Sequence, residues 1–237
     1  MTLIQTIRHP IWPYLEEHVI FLKSQRKRVP LKNRSTRIGI NISLIFMSAC
    51  CIESRVEREL KELIRHRRRV IGGVEVEKFY QRRILNTFMN NMEDYLDSRV
   101  ERTTGIDNLG AILELLSYKR TPVKFSDYSN WEGIRVLFNF RNVLAHGRES
   151  SAKRTQAWWV EGDWKDDFTG GYKLTEDYLF KKKLIKGRFF EKGTIEHLFT
   201  NRVTDHFVIQ SMIFSRYISR IIGQEKKLFT SSNIKGL

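Results

Sequence analysis

The sequence predicts a mainly α fold, a helical bundle that carries one small β-hairpin insertion. Apolar residues recur at three- and four-residue steps over long stretches, the spacing that puts one stripe of a helix toward a core. Glycines and a proline, at Gly72-Gly73, Pro122 and Gly147, separate these stretches. Between about residues 155 and 185 the pattern changes to an aromatic, alternating and glycine-punctuated one that reads as paired strands. With 237 residues, 41% of them hydrophobic, the chain can bury a sizeable core.

Residues 1–35 read as a basic N-terminal arm, with a short helical stretch around Tyr14 to Lys23 and then the run Gln25-Arg26-Lys27-Arg28-Val29-Pro30-Leu31-Lys32. The helical domain is expected over residues 36–222. Its first helix carries Ile42, Ile45, Ala49, Ile52, Val56, Leu60 and Leu63 on one stripe and ends in Arg65-His66-Arg67-Arg68-Arg69. A second helix is expected from about Val76 to Arg99 and a third from Asn108 to Ser117. The fourth starts near Ser129 or Asn130, either of which can cap it, and carries Ile134, Leu137, Phe138, Val143 and Leu144 before Gly147. Gln156-Ala157-Trp158-Trp159-Val160, a turn at Gly170-Gly171 and Tyr172 to Leu184 form the inserted hairpin. A long closing helix runs from Thr194 to Ile222, and residues 223–237 read as a polar, frayed tail.

Lys and Arg number 42 against 27 Asp and Glu, a formal charge of +15, so the partner expected from charge is a polyanion, most economically nucleic acid. The adjacent Cys50 and Cys51 offer no disulfide framework, and the start of the chain lacks the pattern of a signal peptide, so a reducing, cytoplasmic setting is expected. The apolar stretch Ile38 to Ile52 is about 15 residues long and runs into Glu53 and Arg55, where a membrane span needs roughly 20; it reads as a buried helix, and no membrane partner is expected.

Several chemistries are poorly served. The six histidines are scattered without metal-ligand spacing, so no metal site and no cofactor is expected. Gly72-Gly73 lacks the residues of a P-loop, and neither a serine nor a cysteine stands in a nucleophile elbow. What remains is Phe140-Arg141-Asn142-Val143-Leu144-Ala145-His146-Gly147, an arginine and a histidine closing an otherwise apolar helix. RNA can be cut with neither metal nor protein nucleophile, because its own 2′-OH attacks the adjacent phosphorus once a base removes the proton. Histidine titrates near neutrality and suits the proton transfer; the planar fork of arginine suits the charge developing on the phosphorane. The bland reading, an Arg and a His that merely end a helix where positive charge is favourable, stands beside this one.

The arrangement Arg141-Asn142-x-x-Ala145-His146-Gly147 resembles the signature of HEPN ribonucleases, whose catalytic Arg, following polar residue and His come from one helix of a bundle. The resemblance implies an endoribonuclease with Arg141 and His146 as its chemical pair and Asn142 in support, acting as a toxin or an abortive-infection, antiviral effector. It also implies a possible antitoxin or regulatory protein as partner. In the family an acidic residue of an early helix often orients the pair, a role Glu53 would fill here; a solvent-facing charge is the other reading. Toxins of the family that are silenced by nucleotidyltransferase antitoxins tend to carry a Tyr two residues after the His, where this chain has Arg148. Arg65, Arg67, Arg68, Arg69 and Arg148 either track RNA phosphates or are solvated helix-end charges. Trp158, Trp159 and Trp164 either stack bases or build the hairpin's own core. His206 reads as structural.

Five positions along a helix separate two side chains by about 140° and 7.5 Å, so Arg141 and His146 diverge, whereas Asn142 and His146 share a face. HEPN enzymes resolve this by dimerising across a twofold cleft, and the resemblance implies a homodimer here. The rival reading is a non-catalytic HEPN domain that binds RNA or a partner protein.

Overall fold

A computed structural model describes residues 11–72, 91, 95, 98–100, 105–117, 122–145, 152–156, 164–168, 172–188 and 195–235. The chain is mainly helical. In order the elements are α1 (Trp12–Arg28), α2 (Arg34–Gly72), α3 (Ile106–Leu115), a 3₁₀ turn at Phe125–Asp127, α4 (Trp131–Ala145), β1 (Ala152–Gln156), β2 (Trp164–Phe168), α5 (Tyr172–Lys181), a second 3₁₀ turn at Ile195–Phe199 and α6 (Asn201–Lys235). The second helix expected from sequence, Val76 to Arg99, lies almost wholly outside the described residues, as do Gly147, Trp158, Trp159 and Gly170-Gly171.

The chain divides into two compact units. One comprises Met1–Leu15, Cys51–Ser129 and Ile213–Leu237, the other Glu16–Cys50 and Asn130–Met212. Within the first, Val56, Leu60 and Leu63 of α2, Leu109, Ile112 and Leu113 of α3, and Phe214, Ile218 and Ile222 of α6 are buried. Phe214 meets Phe125 edge-on at 5.6 Å and Tyr128 at 5.1 Å. His66 Nε2 sits 3.1 Å from the Lys226 carbonyl and 3.0 Å from Thr230 Oγ1, fastening α2 to the C-terminal part of α6.

In the second unit Leu44, Ile45 and Ala49 of α2, Ile134, Leu137 and Phe140 of α4, Leu179 of α5 and Val203 and Phe207 of α6 form the core. Phe140 stacks on Phe199 at 5.3 Å and meets Tyr172 and Phe207 at 6.0 and 6.1 Å. α4 packs against α5, and Lys181 reaches Glu132 across that contact at 3.4 Å. Asn130 stands before α4; its carbonyl accepts the Gly133 and Ile134 amides, while its side-chain amide donates to Gln210.

Three readings of the sequence change. The alternation predicts a strand over Tyr172 to Leu184, but Tyr172–Lys181 is helical, because Tyr172, Thr175, Glu176, Tyr178 and Leu179 are the buried positions and follow the helical repeat. The antiparallel pair lies earlier, with Ala152 opposite Phe168 and Gln156 opposite Trp164. The closing helix is not continuous from Thr194: a 3₁₀ turn precedes it and Thr200 interrupts, its Oγ1 accepting the Val203 amide at 3.3 Å as an N-cap. From Gly223 the helix continues to Lys235, with Glu225 and Phe229 buried, in place of a frayed tail.

The basic stretch of the arm also has structure. α1 extends through it to Arg28, and Arg26 is only 6% exposed. Its guanidinium donates to Asn41 Oδ1 at 3.1 Å and pairs with Asp205 at 2.6 Å. A buried cation needs such partners, since leaving it uncompensated costs several kcal/mol.

α2 is long and apolar enough over Arg34–Arg67 to cross a membrane by length and composition. In the fold its Leu44, Ile45, Ala49, Ile52 and Val56 are covered by protein.

Candidate active site

α4 carries the described part of the motif singled out in the sequence, as far as Ala145. Gly133, Ile134, Val136, Leu137, Phe138, Phe140 and Val143 are buried, and Glu132, Arg135, Asn142 and Ala145 form the solvent-facing stripe. So wide a buried face fixes the helix in rotation, and with it the direction in which its last turn projects. Arg141 lies on the border between the two faces, half-buried, its guanidinium carbon 5.6 Å from the centroid of the Phe138 ring. A cation over an aromatic face is held at about 0.5–1 kcal/mol in partly exposed settings, which restricts the guanidinium without neutralising it. Asn142, one residue on, is exposed. His146 and Arg148 lie outside the described residues.

Glu53 and the arginine cluster at the end of α2 belong to the other unit, where Glu53, Arg65 and Arg67 have structural partners. Glu53 Oε1 accepts the amide of Gly105 at 3.1 Å, just before α3. Gly105 has φ +89°, a conformation that L side chains rarely adopt, so glycine is required where Glu53 anchors the chain. Arg65 pairs with Glu62 at 2.9 Å one turn back on α2. Arg67 donates to the Leu116 carbonyl, with its guanidinium 5.0 Å from the Phe229 ring. Arg69 is exposed, and the side chain of Arg68 is outside the described ones. Among the described side chains of this cluster, Arg69 is displayed to solvent as a cation, whereas Arg67 serves packing.

His206 hydrogen-bonds Tyr178 through Nε2 at 2.9 Å, and burial, with Lys182 adding to it, holds its imidazole below the ordinary histidine range. A neutral, ring-bonded histidine inside a helix packing surface fits the structural role expected for it.

The sequence reading missed two features. Arg135 shares the exposed stripe of α4 with Asn142, two turns away, a relation that helical arithmetic could have supplied. His197 Nε2 lies 3.0 Å from Glu176 Oε1 in a hydrogen bond, with side chains 12% and 5% exposed, and no local pattern announces a partnership between residues of different elements. Among the described residues no group of three or more His, Cys, Asp or Glu side chains is arranged to hold a metal ion. No family model, no curated protein and no solved structure matches this chain.

Proposed function

We propose that the protein is a metal-independent endoribonuclease of HEPN-like architecture, a helical bundle with a hairpin insertion, that cleaves RNA by attack of the substrate's own 2′-OH. His146 acts as general acid and base, Arg141 stabilises the charge that develops on phosphorus, and Asn142 supports the pair. The biological role is that of a cytoplasmic toxin or abortive-infection effector, held in check by an antitoxin or regulatory protein. The observation that carries the reading is α4 itself, a buried helix whose last described turn bears Arg141 against Phe138 and Asn142 in solvent, immediately before His146.

The chemistry is tested on the products. Cleavage is expected to survive EDTA and to leave a 2′,3′-cyclic phosphate and a 5′-hydroxyl, and a substrate with 2′-deoxyribose at the scissile position should resist. Activity lost in EDTA and restored by magnesium would instead identify a metal-dependent nuclease. Binding of RNA with no cleavage at all would favour the non-catalytic reading.

The active species is a homodimer in which the Arg141 of one protomer serves the His146 of the other, because the two side chains diverge on one helix. Light scattering at the concentrations used for cleavage should return about twice 28.2 kDa. Activity per chain should fall on dilution below the dissociation constant. A monomer that keeps full activity at every concentration would rule out the composite site.

A further inference from the structure

A groove of about 780 Å³ opens in the second unit between the start of α2 and the start of α6. Arg34 and Arg37 of α2 and Arg202 of α6 line it, with Asn41 and His197 deeper in. The floor is built. Asn41, 2% exposed, donates to the Phe199 carbonyl at 2.7 Å and to Asn201 Oδ1 at 3.1 Å, and receives Arg26 on its own oxygen. His197 is held by the buried Glu176. The walls are cationic: Arg37 is steadied by one bond to the Val29 carbonyl at 3.0 Å, Arg202 is exposed, and Arg34 meets Glu196 in a pair whose side chains are 71% and 41% exposed. So exposed a pair is screened and weak, and yields readily to a better anion.

We infer that this groove is an RNA contact separate from the end of α4, in which Arg34, Arg37 and Arg202 hold backbone phosphates of a single strand. Three guanidiniums offer forked donors matched to phosphate oxygens, and a floor whose hydrogen bonds are already made gives up little freedom on binding. The first turn of α6 forms part of the wall, so the positive end of its dipole adds to the same field. Three of the lining residues, Leu31, Ile38 and the buried Phe199, are apolar, and they do not form the broad exposed patch a protein partner would cover. The surplus of +15 on the chain suits a long polyanion more than a single small one. The inference takes its ligand class from the ribonuclease reading, yet it is tested by binding alone.

The probe is a short fluorescein-labelled 2′-O-methyl oligoribonucleotide, which cannot be cut, titrated with the full chain over a series of salt concentrations. The double variant Arg37→Ala/Arg202→Ala is expected to bind about tenfold more weakly and to flatten the dependence of log K on log salt by about 1.4, roughly 0.7 for each phosphate of a single strand that is no longer neutralised. The control Lys173→Ala/Lys227→Ala removes the same charge from exposed positions elsewhere and should leave the slope near wild type. If the double variant melts early, Arg202→Ala, altered only in solvent, should still flatten the slope by about 0.7. Unchanged affinity and slope in these variants would overturn the assignment. So would displacement of the probe by a free mononucleotide or by polyglutamate as effectively, charge for charge, as by unlabelled RNA. Weakened binding in the variants, with cleavage absent even in wild type, would sink the ribonuclease and leave the groove standing; intact binding with cleavage present would do the reverse.

Discussion

His146→Ala and Arg141→Ala are each expected to lower RNA cleavage at least 100-fold, which is about 2.7 kcal/mol of transition-state stabilisation. On the proposed mechanism the first removes the group that moves the proton of the 2′-OH, and the second removes the cation that stabilises the phosphorane. Neither change should unfold the protein. Arg141→Ala gives up the interaction with Phe138, so its melting temperature should fall slightly, by the equivalent of about 0.5–1 kcal/mol, with helical content unchanged by circular dichroism. Arg141→Lys separates charge from geometry: it keeps a cation over the same ring but not the fork, and most of the activity should go with it. Wild-type activity in either alanine variant would remove that residue from the mechanism, and equal activity of the lysine variant would reduce Arg141 to a point charge.

Phe140→Ala should have the largest effect on stability, about 3–5 kcal/mol. Its ring is fully buried and joins three parts of one unit, stacking on Phe199 and meeting Tyr172 and Phe207. No small displacement of α4 fills the space left behind without breaking the burial of Ile134 and Leu137 on the same helix. Since a domain is stable by about 5–15 kcal/mol, a loss of this size lowers the urea midpoint sharply and leaves the variant marginal at ordinary temperature. Phe140→Leu retains most of the volume and should be less damaging. A shift below about 1 kcal/mol for the alanine variant would mean that the cluster is not the centre of the unit.

Helices whose periodicity is local were legible in the sequence. The apolar stripe of α2 from Ile45 to Leu63 is buried as spaced, and α3 and α4 begin within two residues of expectation. What failed was local ambiguity. Tyr172 to Lys181 mixes aromatic and polar residues in a way that fits alternation until burial reveals the three- and four-residue steps. Past Gly223 the polar composition hid a helix that Glu225 and Phe229 hold through their burial. At the candidate site, the placement of Arg141 and Asn142 at the end of a buried helix was readable, because one helix supplies both. The groove was not: Arg202 lies more than a hundred residues from Arg34 and Arg37, and no spacing rule links them.

Neither compact unit is a continuous piece of chain, and both require residues of α6, the last of the helices in sequence. Arg26 emerges early from the ribosome, yet its ion-pair partner Asp205 lies 179 residues later. Until α6 arrives, each nascent unit lacks an inner wall: Phe140 is without Phe207 and the groove is without Arg202. On the ribonuclease reading, activation is therefore coupled to the synthesis of α6. A truncated or stalled product carries the residues of the active helix but not the scaffold that orients them, and a cell making an enzyme that destroys RNA is exposed to it only after that helix has left the ribosome.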